Sequence, residues 1–383
     1  MASKPTSPVR TRAILPPTDV LDAVARTLVR EVAAAPCAVL GAAVRVGDGW
    51  LRGGGVDGWL TPGGAPATLA TVFDLASVTK PFTALTAARL ARCGVVDLAA
   101  PLGSLLGEAR GTPSEDVPLE LFLAHRAGLD GHRTLWGPLL AGAPFDRSEA
   151  LVVAASARRS DCSGTPPAEG FSPVYSDLGY LLVGEALSRA AGVSLAELIA
   201  TEVSVPLGLS VGSAAAMRSN APPLPTAPTE VASFRGGVVI AAVHDENAWA
   251  YSGLGVAGHA GLFGTAADLV TLGEALIEAL DGRRPEWLSA SELAPLVRER
   301  PGGTLRAGFD GKSTEGSSAG TKFGPRSVGH LGFTGTSLWV DPDAALACVV
   351  LTNRVHPTRT SDAIRRGRPM VHDAVAAWAA DKR

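Results

Sequence analysis

The chain changes its apolar rhythm several times. Residues 20–35 are Ala-rich, with the spacing of an amphipathic helix. Residues 38–46 and 51–60 read as two strands joined through Gly47-Asp48-Gly49, a hairpin signature. A helix is predicted over 77–93, ending at Gly94, where glycine can close it in a left-handed conformation. From about 100 to 235 the pattern is helical, broken by Pro/Gly-rich loops at 161–173 and 221–228, without clear strand alternation. After a polar stretch at 301–322, residues 329–334, 337–340 and 345–351 read as strands and 361–380 as a closing helix. Strands at both ends and helices between them predict an α/β protein. Its antiparallel sheet is built from N- and C-terminal segments (19–99 and 236–383) and flanked by helices, with an all-helical region (100–235) inserted. Residues 1–18, rich in Pro, Ser and Thr, read as a flexible arm.

The composition of the 383 residues, with 46% hydrophobic and 19% charged, is that of a soluble globular chain. A net charge of −3 leaves no surplus of cations to follow a phosphate backbone, so nucleic acid is not an expected partner. No segment has the roughly 20 apolar residues that span a bilayer, and no export signal is visible, so no membrane association and a cytoplasmic location are the expectations. Cys37, Cys93, Cys162 and Cys348 lack any C-x-x-C spacing and are expected to be packed thiols. The oligomeric state is not written in the pattern.

Lysine usage narrows the chemistry. Five lysines stand against 29 arginines, and Lys80 is the only lysine between residues 5 and 311. Unlike arginine, a desolvated lysine can lose its proton and act as a base. Ser77 precedes it by three residues, which places hydroxyl and amine on one helix face. Pro81 is tolerated only near a helix start, where free N–H groups favour developing negative charge. The competing reading is structural: Ser77 or Thr79 caps the helix and Lys80 is a solvated charge.

The surrounding Phe73-Asp74-Leu75-Ala76-Ser77-Val78-Thr79-Lys80 resembles the S-x-x-K motif of the serine β-lactamase and penicillin-binding-protein superfamily, in its class C-like branch. The likeness continues through Leu121-Phe-Leu-Ala-His125-Arg-Ala-Gly128-Leu129, Tyr175-Ser176-Asp177-Leu-Gly179-Tyr180 and Pro206-Leu207-Gly208-Leu209. Further landmarks, Val243-His244-Asp245-Glu246-Asn247, Ala257-Gly258-His259-Ala260-Gly261-Leu262-Phe263 and His330-Leu331-Gly332-Phe333-Thr334-Gly335-Thr336, are similar to a β-lactamase-related subgroup of serine hydrolases that includes family VIII esterase-like proteins.

The resemblance implies a serine hydrolase that acts on a small-molecule or peptide substrate through an acyl-enzyme, without a cofactor. Ser77 is then the nucleophile, Lys80 the first candidate base and Tyr175 its partner in the proton relay. Asp177 stands where the family has asparagine. It is either an N-cap or a carboxylate facing the site, where it would hold Lys80 protonated and shift weight to Tyr175. His330 stands where the family has lysine, and its expected role is a hydrogen bond or a positive charge toward a substrate carboxylate. Gly332 would let substrate approach the strand, and the N–H groups of Ser77 and Phe333 would form an oxyanion hole.

His244, Asp245, Glu246 and His259 match no zinc spacing and are assigned to loop ordering or site lining. His125 reads as a structural histidine at a turn, and Tyr180 and Tyr251 as packing residues. An intracellular esterase or amidase/peptidase, including D-amino-acid peptidases, is the favoured class. The alternative is a catalytically weak binding or scaffold protein on the same fold, supported by Asp177 and His330.

Overall fold

A computed structural model describes residues 14–219 and 224–383. Along it, α1 (Asp19–Arg26) precedes a hairpin of β1 (Cys37–Val46) and β2 (Gly49–Gly58), which turns at Gly47 with a φ of +58°. There follow β3 (Phe73–Asp74), α2 (Thr79–Arg92), α3 (Asp177–Ala191), β4 (Gly212–Ser213), α4 (Glu246–Ser252), β5 (Leu262–Gly264) and α5 (Ala266–Leu280). The C-terminal part adds β6 (Asp310–Gly311), β7 (Val328–Leu331), β8 (Ser337–Asp341), β9 (Leu346–Thr352) and α6 (Ile364–Ala380). Short helices joined by longer loops make up the interval between α2 and α3.

Six strands form one antiparallel sheet in the order β2-β1-β9-β8-β7-β6, so β1 from the N-terminus pairs with β9 from the C-terminus, Ala38 opposite Thr352. Both faces of β1 are buried, and they serve different cores. Val39 and Ala43 pack toward α5, whereas Ala38, Leu40, Ala42 and Val44 join the core made by α1 and α6. Gly41 faces α5 so closely that a Cβ there would lie 2.8 Å from Val270. α2 runs through the larger core with eleven of its residues buried, Lys80 among them.

The predicted architecture is observed, with local differences. The first helix ends at Glu31, after a π-helical turn. Residues 332–334 form a turn at the end of β7, not part of a strand. The region read as all-helical supplies β4, which pairs with β5 beside β3, and a short hairpin strand at Val231–Ala232. Of the arm read at 1–18, residues 1–13 lie outside the described residues. Residues 14–18 are tied down: Leu15 is buried, and Pro16 and Thr18 exchange backbone hydrogen bonds with Gly54. Cys37, Cys162 and Cys348 are buried free thiols, but Cys93 is exposed.

Candidate active site

The nucleophile turn is a strained piece of backbone held from three sides. Ala76 has a φ of +48°, unfavourable for any residue with a Cβ, and it immediately precedes Ser77 in a 3-10 turn that leads into α2. The Asp74 carboxylate accepts from Ala76 N at 2.8 Å and from His244 N at 2.7 Å. From the turn after β7, Thr334 Oγ1 donates to Asp74 O at 2.8 Å and Thr336 Oγ1 to Leu75 O at 2.9 Å. The turn after β7 and the turn that carries Ser77 are thus bonded together.

Lys80 is fully buried, which overturns the solvated-charge reading. Its ammonium donates to Ser77 Oγ at 2.9 Å, Asp177 Oδ1 at 2.7 Å and His259 O at 3.4 Å. It lies 4.6 Å from the centre of the Tyr175 ring, and the Tyr175 hydroxyl is within hydrogen-bonding reach of both Lys80 and Ser77. Neither Ser77 nor Thr79 caps α2: Ser77 Oγ faces Lys80, and Thr79 Oγ1 accepts from Leu262 N at 3.3 Å.

Asp177 is the first residue of α3, whose N-cap is Ser176, so the capping reading gives way to the carboxylate facing the site. The consequence for Lys80 is electrostatic. Burial alone would lower its pKa, but Asp177 and Tyr175 outweigh burial and raise it. Burial raises the Tyr175 phenol, and the Lys80 cation offsets this only in part. The resting pair is therefore an ammonium and a neutral phenol.

Tyr175 is 36% exposed, opening on a cavity of about 810 Å³ that Ser77, Asp177, His330 and Phe333 also line. Behind it stands His125, with ring centroids 4.7 Å apart and Nδ1 accepting from Ser176 N at 3.0 Å. His125 is structural as expected, and what it supports is Tyr175.

His330 is where the structure departs most from the expectation. Burial, followed by the Lys80 cation, lowers its pKa to about 3, so it is neutral near pH 7 and supplies no positive charge to a substrate. Its Nδ1 lies 2.8 Å from Leu331 O, an acceptor only, which fixes the tautomer with Nδ1 protonated and leaves Nε2 as an acceptor. Gly332 lines the cavity, and a Cβ there would lie 1.9 Å from Thr336 Oγ1 and 2.6 Å from Leu75 O, so the glycine also makes room for the turn that carries Ser77. The backbone N–H groups of Ser77 and Phe333 find no acceptor among the described residues.

The remaining polar residues order loops. His259 Nε2 meets Asp245 Oδ1 at 3.0 Å, and His244 Nε2 meets Glu230 at 3.2 Å. Tyr180 and Tyr251 bond Leu123 O and Glu185, as packing residues do. No group of three or more His, Cys, Asp or Glu among the described residues could hold a metal ion. Sequence reasoning gave no role to Asp74, His132, Arg354 or Arg368. The last three line the cavity, and none of the four carries a spacing signal.

An antiparallel sheet flanked by helices, a serine and a lysine three residues apart where a helix begins, and a tyrosine from an inserted, largely helical region define the serine β-lactamase and penicillin-binding-protein superfamily. The family model described as Beta-lactamase matches residues 25–368, and the chain belongs to that family. A putative D-alanyl-D-alanine carboxypeptidase of Salmonella agona (strain SL483) is 27% identical over 311 residues, 76% of this chain and 71% of that protein. Two solved structures share the fold. A class C β-lactamase from Rhodobacter sphaeroides has a TM-score of 0.64 at 19% identity over 94% of this chain and 98% of that one. EstCE1, described as a hydrolase with promiscuous acyltransferase activity, has a TM-score of 0.67 at 20% identity over 93% and 97%. Family and relatives support the class of serine hydrolase.

Proposed function

We propose that this protein cleaves an ester or amide bond of a small-molecule or peptide substrate through an acyl-enzyme on Ser77. The observation that carries the reading is the Lys80 ammonium, fully buried and shared by Ser77 Oγ, Asp177 and Tyr175. A surface cap and a solvated lysine would need none of that arrangement.

Because Lys80 and Tyr175 both hold their protons at rest, the working base arises when the pair loses one of them. The Tyr175 oxygen, beside the cation, then takes the Ser77 proton as Oγ bonds the carbonyl carbon. The N–H groups of Ser77 and Phe333 receive the negative charge that develops on the carbonyl oxygen. Collapse breaks the bond to the leaving group, which departs with the proton held by Tyr175. Water enters by the same route, giving its proton to Tyr175 while its oxygen bonds the acyl carbon, and Ser77 Oγ leaves reprotonated.

The relative named as a carboxypeptidase and the neighbour named as a hydrolase with acyltransferase activity support both amide and ester substrates. The test is covalent labelling by a fluorophosphonate together with hydrolysis of p-nitrophenyl esters, nitrocefin and D-alanyl peptides. Stoichiometric labelling that disappears in Ser77→Ala, with turnover indifferent to chelators, is the expected result. No labelling and no turnover of any of the three classes would leave the scaffold reading. Tyr175→Phe should lower kcat by roughly a hundredfold or more, the scale of a lost acid–base group.

A further inference from the structure

Asp74, the last residue of β3, is 2% exposed, and among the described residues no cationic side chain lies at ion-pair distance from its carboxyl group. Burial raises its pKa, and the hydrogen bonds from the His244 and Ala76 N–H groups offset that only in part. An acid is costly in such a place, so the reason for it lies in what it alone can do. Its two oxygens accept from two different backbone donors, Ala76 N at 2.8 Å and His244 N at 2.7 Å. An asparagine offers a single acceptor oxygen and would set its amide N–H against one of the two.

Both candidate oxyanion donors are reached from this one residue. On the first side, the bond to Ala76 N holds the backbone at a φ of +48°, a strain that persists only where neighbours over-determine it, and Ser77 N–H follows directly. On the second side, the carbonyl of Asp74 accepts from Thr334 Oγ1 at 2.8 Å, and Thr334 is joined to Phe333, which supplies the other N–H. The third contact closes the frame. His244, whose N–H is held by the Asp74 carboxyl, stacks its ring on Phe333 with centroids 5.8 Å apart and planes 19° apart. β3 is itself fixed, because Asp74 pairs with Phe263 of β5 and Leu75 N donates to Leu262 O at 2.9 Å.

We infer that Asp74 is a positioning residue that sets the placement of the Ser77 and Phe333 N–H groups relative to each other, and so the stabilisation of the charge that develops on the substrate carbonyl oxygen. This rests on the hydrolase reading. Asp74 is not among the residues that line the cavity, and it acts through Ala76, Thr334 and His244. Donors placed for a negative oxygen hold the transition state more tightly than the bound ester, so the effect of Asp74 falls on kcat and not on KM.

The test uses the full-length protein, p-nitrophenyl acetate as substrate and phenyl trifluoromethyl ketone as inhibitor. Ser77 Oγ bonds the ketone carbon, its proton passes to Tyr175, and the carbonyl electron pair moves onto the oxygen, which then occupies the place of the oxyanion. Active sites are counted by fluorophosphonate labelling, so a loss of folded protein alone leaves kcat per labelled site unchanged. Asp74→Asn should lower kcat per labelled site by about a hundredfold, the scale of a misplaced oxyanion donor, and weaken the ketone by a similar factor with KM nearly constant. Thr334→Val, which keeps the carboxyl and removes the tie to Phe333, should do the same by about tenfold, the scale of one hydrogen bond. Thr334→Ser restores the hydroxyl and should restore both values. If Asp74→Asn does not fold, the two Thr334 variants decide the matter. Unchanged kcat per labelled site, a fall in kcat without weaker ketone binding, or a Thr334→Ser as impaired as Thr334→Val overturns the positioning role. If the parent hydrolyses the ester in that case, the hydrolase reading stands without it. If the parent neither labels nor turns over, both fall together.

Discussion

At the scale of single residues, Asp177 and His330 decide how this site differs from a site with asparagine and lysine in those places. Asp177 adds a carboxylate 2.7 Å from the Lys80 ammonium and raises the lysine's pKa, so a base forms only as pH rises. Asp177→Asn removes that attraction. The rising limb of kcat against pH should therefore shift to lower pH in the variant, and an unshifted or alkaline-shifted limb would count against the proposed base. His330 has its pKa lowered to about 3, so it keeps one charge state from pH 5 to 8. The KM of an anionic ester should show no titration near pH 6.5 over that range, and a KM that climbs tenfold through pH 6.5 would restore the charged role. The spacing of Ser77 and Lys80 was legible because three residues along a helix always return to one face. The direction of Asp177 was not, because the same sequence position serves as cap or first helical residue until the chain before it is placed.

At the scale of elements, the site is a junction between the nucleophile turn and the turn after β7. Thr334 and Thr336 donate across it to the carbonyls of Asp74 and Leu75, and Gly332 is the residue that lets the two backbones come this close. Gly332→Ala should cost about 1–3 kcal/mol in denaturant unfolding, as overpacking does, with a larger fractional loss in kcat than in KM. A variant as stable and active as the parent would show that the two turns are free to separate. The strand pattern was read correctly, to within one residue, for β8 and β9 but extended three residues too far at β7. Residues 332–334 have strand-like composition, and what bends them is the set of hydrogen bonds to residues 74 and 75, which lie more than 250 positions away in the chain.

For the whole molecule, the groups of the candidate site come from three regions that only the fold unites: Ser77 and Lys80 from the 3-10 turn and the α2 it leads into, Tyr175 and Asp177 from the inserted region, and His259 O from the C-terminal part. Gly258 is the contact between the last two, because a Cβ there would lie 1.8 Å from Tyr180 O. Gly258→Ala should push α3 from the loop that carries His259 and lower kcat. The buried neutral histidines have a second consequence. His330 and His372, with pKa values lowered to about 3 and about 4 by burial, bind no proton in the fold at pH values where the unfolded chain does. Stability should therefore fall as pH drops below about 6.5, by roughly 1.4 kcal/mol per histidine per pH unit until the folded pKa is reached. Denaturant unfolding at pH 7 and pH 5 measures it, and equal midpoints would mean the two side chains are not held neutral.

The sequence by itself determined the main elements and the pairing of Ser77 with Lys80, because helix and strand periodicities and an i,i+3 spacing are local properties. It could not determine which charges meet. Whether Lys80 keeps its proton and whether His330 gains one depend on desolvation and on neighbours brought from distant segments. Those terms take their sign only when Asp177, Tyr175 and Lys80 are set in place by the packed sheet and helices.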